Sequence, residues 1–191
     1  MASINYIAGV DEVGRGALFG VVAAAAVILP PALEPNLTAI GIRDSKTLTP
    51  KQRQKFDQLI RAIAIDCQIG IATVTEINQL NILEASLLAM ERAIAQLKPL
   101  PQLCLIDGNQ PLRFRELTPL PQKTIIGGDL QQVAIAAASI IAKVWRDQEM
   151  QKLDHQYPGY GLAQNKGYGT PYHRQAIQTL GRSDQHRNFG T

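Results

Sequence analysis

Along this chain, short unbroken apolar runs alternate with longer stretches whose apolar positions recur every three or four residues. The first pattern predicts strands and the second predicts helices. Ile4 to Val10 reads as a strand and Val21 to Leu29 as a second. Gly14-Arg15-Gly16 lies between them, so the pair predicts a hairpin. Pro30 to Gly41 reads as a loop. Thr49-Pro50-Lys51-Gln52 reads as a helix start: Thr caps, Pro suits the first turn, and Gln falls at the capping-box position. That helix runs to about Ile63. Cys67 to Val74 predicts a third strand. A helix begins near Asn81, with Leu83, Leu87, Leu88, Met90, Ile94 and Leu97 at helical spacing, and Pro99 ends it. Leu103 to Ile106 and Lys123 to Ile126 read as short strands, the first running into Asp107-Gly108 and the second into Gly127-Gly128-Asp129. A long helix from Gln131 to His155 follows, buried on most sides over Ala134 to Ala142. Tyr157 to Gly169 reads as a Gly- and Tyr-rich loop, and Thr170-Pro171 starts a last helix that Gly181 closes.

This order predicts one α/β domain over residues 1–191, with a central mixed sheet flanked by helices and a helical part over residues 150–191. At 191 residues the chain is long enough for one full core, and 46% hydrophobic with 18% charged is a globular composition. Cys67 and Cys104 match no metal-ligand spacing and read as small buried hydrophobes. No signal peptide is recognisable, and Val21 to Leu29 is too short to span a membrane, so the expected location is the cytoplasm. A monomer is the default expectation.

Charge sharpens the picture by its distribution. Residues 1–142 hold 12 Lys and Arg against 12 Asp and Glu, whereas residues 143–191 hold 7 against 4 and supply the whole net charge of +3. No acid lies between His155 and Ser183. Lys166, His173, Arg174 and Arg182 there are interleaved with Tyr157, Tyr160, Tyr168 and Tyr172. Basic residues among aromatics suit nucleic acid, although the same composition also describes a solvated surface.

Acids follow three of the apolar runs: Asp11-Glu12, Asp107 and Asp129. Burying a carboxylate is costly unless something pairs with it. Converging at one sheet edge, these four would repel one another unless cations stood between them. Hard divalent cations with oxygen ligands resolve that repulsion, and two of them about 3.5–4 Å apart suit in-line displacement at phosphorus. Singly, Asp107 before Gly108 also reads as a turn residue and Asp129 as a helix cap. Gly14-Arg15-Gly16 is neither a dinucleotide fingerprint nor a P-loop. Beside two acids, its glycines allow main-chain atoms to approach a sugar edge.

Five motifs occur in order: "GVDEVGRG", "DSKTL" (Asp44 to Leu48), "IDGN" (Ile106 to Asn109), "GGDLQQVAIAAASIIAKVWRD" (Gly127 to Asp147) and "NKGYGT" (Asn165 to Thr170). With them the chain resembles the bacterial ribonuclease HII family over residues 6–189. The resemblance implies a ribonuclease H-like fold. It also implies an endonuclease acting on RNA/DNA hybrids and on single ribonucleotides in duplex DNA. The implied cut is 5′ to the ribonucleotide and leaves 3′-hydroxyl and 5′-phosphate ends. It places the metal-binding carboxylates, for Mg²⁺ or Mn²⁺, on Asp11, Glu12, Asp107 and Asp129.

By the same resemblance, Gly14, Arg15 and Gly16 contact the ribose 2′-hydroxyl through their backbone, and Tyr168 stacks on the following deoxyribose. Lys46 and Lys143 contact phosphates, with Ser139, Asn165 and Lys166 as lesser candidates. Asp147 and Arg146 are expected to form a supporting ion pair. Ala17 and Val21 replace prolines common in the family and Phe19 replaces a small residue, which is expected to loosen the loop. With the sequence ending soon after "HRNFG" (His186 to Gly190), no long tail to recruit a sliding-clamp protein is expected. Two other classes compete: a non-catalytic binder on this fold and a two-metal phosphotransfer enzyme acting on DNA alone. Clustered acids disfavour the binder, since a polyanion ligand gains nothing from them.

Overall fold

The computed structural model describes residues 6–42, 45 and 47–188. Its strands are β1 (Ile7–Val13), β2 (Val22–Ile28), β3 (Asp66–Ala72), β4 (Leu103–Asp107) and β5 (Gln122–Ile125). They form one mixed sheet in the order β3-β2-β1-β4-β5. The β1–β2 hairpin and the β2–β3 pair are antiparallel; β4 runs parallel to β1, and β5 parallel to β4. The ribonuclease H-like mixed sheet expected from the sequence is therefore present.

Strand β1 does not stop before its acids, as the apolar pattern had suggested. It continues to Val13, with Asp11 opposite Ala25 and Glu12 opposite Ala24. On its other side, pairing with β4 ends at Val10 opposite Ile106. The sheet therefore splits beside Asp11, and the opening faces the end of β4, where Asp107 sits.

The helices are α1 (Glu34–Ala39), α2 (Pro50–Ile63), α3 (Val74–Leu80), α4 (Ile82–Ala95), α5 (Gly128–Gln131), α6 (Val133–Gln156), α7 (Leu162–Asn165) and α8 (Pro171–Leu180). The capping box at the start of α2 forms as predicted: Thr49 accepts from the Gln52 N–H, and the Gln52 side chain accepts from the Thr49 N–H. The stretch Pro30 to Gly41, expected as a loop, holds a 3-10 turn and α1, both too short to show a helical period. The stretch Tyr157 to Gly169 likewise contains α7. The long helix predicted from Gln131 is broken at Gln132, whose φ of −128° and ψ of 115° are extended.

Small residues set the layering. The β2 sequence VAAAAVI is buried throughout. Gly9 and Gly70 have no room for a side chain: a Cβ would stand 2.1 Å from the Ala134 carbonyl carbon and 2.1 Å from the Ala89 carbonyl oxygen, respectively. Helices α6 and α4 thereby press onto opposite faces of the sheet, each over its own apolar core. A third cluster holds Phe19, Met150, Tyr160, Leu162 and Ala176, and it docks the C-terminal elements against the loop after β1. Cys104 is buried as expected and Cys67 is half-buried; both are free thiols. Among the described residues no helix is long and apolar enough to cross a membrane.

Candidate functional site

The ends of two adjacent parallel strands bring Asp11 and Glu12 of β1 next to Asp107 of β4. These three acids line a cavity of about 320 Å³ with Gly14, Gly16 and Tyr168. Asp11 is 7% exposed. Burial pushes its pKa well above the usual carboxylate range, and Glu12 and Asp107 push it further. Hydrogen bonds from the Ser139 hydroxyl and the Glu12 N–H oppose that rise. The Ser139 hydroxyl also lies 2.8 Å from that of Ser45. Glu12 is raised by burial as well, while Arg15 Nη1, 3.1 Å from Glu12 Oε1, pulls it down.

Asp107 Oδ1 accepts from the Gly128 N–H at 2.7 Å. That donor belongs to the first turn of α5, where an N–H has no helical acceptor. Asp129 is the next residue. It is buried in the same turn but does not line the cavity, so the structure gathers three of the four predicted acids and sets the fourth one residue from Asp107's donor. Among the described residues, no group of three or more His, Cys, Asp or Glu side chains is arranged to hold a metal ion. Asp11, Glu12 and Asp107 each accept a hydrogen bond from the protein itself. The donor set is nevertheless all oxygen and short of positive charge, which fits a hard divalent cation.

The remaining candidates divide into those that face the cavity and those that shape it. Arg15 and Gly16 are exposed at its rim, whereas Gly14 is buried. Ser139 and Lys143 line the cavity, with Lys143 held by Asp147 at 2.7 Å. Lys143 also lines a second cavity of about 310 Å³, beside Lys166 and Arg53. Asn165 turns inward: its Oδ1 accepts from the Gly167 N–H, and its Nδ2 donates to the Tyr160 carbonyl. Tyr168 pairs with Ala17 in an isolated antiparallel bridge, which lays the loop of 165–168 along the loop of 14–21. Lys46 lies outside the described residues.

Sequence reasoning missed two arginines. Arg146 does not pair with Asp147, which instead holds Lys143 and lies 3.7 Å from Arg53. The Arg146 guanidinium donates to the carbonyls of Phe19, Val21 and Lys166. Arg187 donates to those of Gly14, Arg15, Gly20 and Val21. Arg146 is 0% exposed and Arg187 1%. Burial lowers both pKa values, and the Arg187 value falls to about 9 with Arg146 as a like-charged neighbour. The loop expected to be loosened by Ala17, Phe19 and Val21 is thus pinned, with Phe19 itself fully buried. A signal existed for Arg146 alone: it lies four residues after Ala142 and four before Met150, on the buried face of α6.

A family model described as Ribonuclease HII matches residues 8–190. A ribonuclease HII from Trichodesmium erythraeum is 58% identical over 180 residues, covering 94% of this chain and 84% of its own. One from Acaryochloris marina is 56% identical over 181 residues, covering 95% and 90%. Among solved structures, the PCNA:RNase HII complex from Archaeoglobus fulgidus matches with TM-score 0.79 and 26% identity, covering 95% of this chain and 93% of the other. The ribonuclease H2 from Pyrococcus horikoshii matches with TM-score 0.78 and 29% identity, covering 95% and 91%.

Proposed function

Because this chain belongs to the ribonuclease HII family, we propose that its cavity cuts the strand 5′ to a ribonucleotide, in RNA/DNA hybrids and at single ribonucleotides in duplex DNA. The products carry 3′-hydroxyl and 5′-phosphate ends. One observation carries this reading: the acids and the residues suited to a sugar edge line one cavity, Asp11, Glu12 and Asp107 together with Gly14, Gly16 and Tyr168.

Asp11, Glu12, Asp107 and Asp129 would hold Mg²⁺ or Mn²⁺, two ions during catalysis. Bound there, such ions supply an activated water and stabilise the leaving oxygen. Main-chain atoms of Gly14, Arg15 and Gly16 meet the ribose 2′-hydroxyl. Tyr168 stacks on the next sugar, where an added 2′-hydroxyl would crowd its ring. Lys143, at the seam of the two cavities, and Lys46 take phosphates; Ser139 and Lys166 assist. Asn165 serves by shaping the loop that presents Tyr168. Residues 1–191 act in this reading as one catalytic domain whose 150–191 part helps grip the duplex.

A gel assay tests it with a DNA duplex carrying one ribonucleotide, an all-DNA duplex and a metal-free control. Metal-dependent cutting 5′ to the ribonucleotide, with the all-DNA duplex intact, is expected. Cutting of the all-DNA duplex would overturn the sugar reading. No cutting in Mg²⁺ or Mn²⁺ by folded, duplex-binding protein would overturn the catalytic reading.

A further inference from the structure

We propose that Arg146 and Arg187 are positioning residues that set the spacing between the 14–21 main chain and Tyr168, so that the preference for an isolated ribonucleotide over continuous RNA depends on both guanidinium groups. The proposal rests on the reading of Gly14 to Gly16 and Tyr168 as the parts that meet the sugar.

The argument starts from what these side chains bind. A buried guanidinium ordinarily finds a carboxylate. The acceptors that Arg146 and Arg187 find are main-chain carbonyls, and those carbonyls belong to the two loops of the sugar-reading wall. Arg187 spans the first loop: Nη1 donates to Gly14 at 2.7 Å and Arg15 at 3.1 Å, while Nε reaches Gly20 at 2.7 Å and Nη2 reaches Val21 at 2.8 Å. Its fork therefore closes the loop on itself. Arg146 joins one loop to the other: its Nη2 donates at 3.1 Å to Phe19 and at 3.1 Å to Lys166. Its Cζ also lies 5.8 Å from the centre of the Tyr168 ring, within cation–π reach. Both arginines donate to the Val21 carbonyl, so the two clamps share an anchor.

Packing makes the spacing unforgiving. A Cβ on Gly14 would stand 2.4 Å from Arg146 Nη1, and one on Gly167 would stand 3.1 Å from Arg146 Nη2. The guanidinium thus fills the gap between the two loops with no clearance. A lysine keeps the positive charge but offers one nitrogen in place of the planar fork, so it cannot hold Phe19, Val21 and Lys166 in the same geometry. Neither arginine is among the residues lining the cavity, so each acts on a bound sugar only through the loops it fixes.

The test compares kcat/KM on two substrates within one preparation: a duplex with a single ribonucleotide and a hybrid with continuous RNA. The ratio cancels the folded fraction, so it reads geometry rather than stability. Arg146→Lys and Arg187→Lys are each expected to lower the ratio by about tenfold, less than the roughly hundredfold that a full 1 Å misplacement can cost. In a Tyr168→Ala background, Arg146→Lys should change the ratio no further. Equal losses on both substrates, or an unchanged ratio, would overturn the inference and leave the arginines purely structural. The parent reading fails separately: if Tyr168→Ala leaves the ratio of the unmutated chain intact, the sugar is not read here at all. A ratio that falls with Tyr168→Ala but not with either lysine variant sinks the positioning role alone.

Discussion

The two walls of the cavity are built on opposite principles. On the carboxylate wall, Asp11, Glu12 and Asp107 repel one another, and Arg15 answers Glu12 from an exposed position. On the loop wall, two buried guanidinium groups bind seven carbonyl contacts between them and leave the backbone little freedom. One wall is electrostatically incomplete without a ligand. The other is hydrogen-bonded into place before the ligand arrives. A site that must gather cations benefits from unsatisfied charge, whereas a site that must judge the shape of a sugar benefits from rigidity.

The largest test of this contrast falls on the incomplete wall. Asp11→Asn or Asp107→Asn should lower cleavage by about a thousandfold or more, since removing a ligand of a catalytic cation removes several kcal/mol of transition-state stabilisation. In Asp11→Asn the same change should also stabilise the fold, because burial and its acidic neighbours already disfavour the Asp11 charge. Losing one of the mutually repelling charges is worth on the order of 1 kcal/mol, or roughly 2–4 °C in Tm for a chain of this size. A variant that lost activity and also melted lower would show that the wall had been satisfied after all.

The loop wall should answer the opposite way. Gly14 has a φ of +88°, and Arg146 Nη1 occupies the place of a side chain, 2.4 Å from an added Cβ. Gly14→Ala should therefore cost on the order of 3 kcal/mol, combining backbone strain with overpacking. Urea unfolding with an unchanged m-value would measure it. A loss below 1 kcal/mol would mean that the loop has slack that its hydrogen bonds do not suggest.

This contrast also explains what the sequence could reveal. The acids were legible because an adjacent Asp-Glu pair closing an apolar run demands an explanation within its own few residues. The cap of α2 was legible for the same reason, since Thr49 and Gln52 satisfy each other locally. The box at Thr73 and Glu76 carried the same signal for α3, which the strand reading of Cys67 to Val74 covered over. The arginine clamp showed far less: Arg146 falls at core spacing on α6, but nothing local named its partners or marked Arg187. Arg146 meets Val21 across 125 positions and Arg187 meets Gly14 across 173, and their partners are carbonyls that every residue possesses. Asn165, read as a substrate contact, turned out to be engaged by its own loop, because a side-chain amide in a Gly-rich turn finds main-chain partners first.

The smallest expected effect separates the walls by pH. Behind Tyr168 lie two buried histidines whose bonds fix their tautomers. The Tyr168 carbonyl can only accept, so His173 Nδ1, at 2.9 Å, carries a proton. The Ser183 N–H can only donate, so His186 Nδ1 is bare. The 3.3 Å bond between the two Nε2 atoms then runs from His186 to His173, and both rings are neutral. Burial lowers both pKa values; that of His186 falls to about 4, helped by nearby His173 and Arg182. The unfolded chain binds a proton on each ring near pH 6.5, which the folded chain refuses until lower pH. Over that window the unfolded state holds more protons, so this region loses stability as pH falls from about 6.5 toward 4. The carboxylate wall has the reverse sign. Asp11 and Glu12 have raised values, so the folded chain takes up protons first and acid relieves their repulsion. His186→Asn, whose Oδ1 can accept from Ser183, should therefore flatten the fall in Tm between pH 6.5 and 5, whereas Asp11→Asn should steepen it by removing the opposing uptake. Identical pH profiles for the two variants would mean that the walls do not titrate as separate regions.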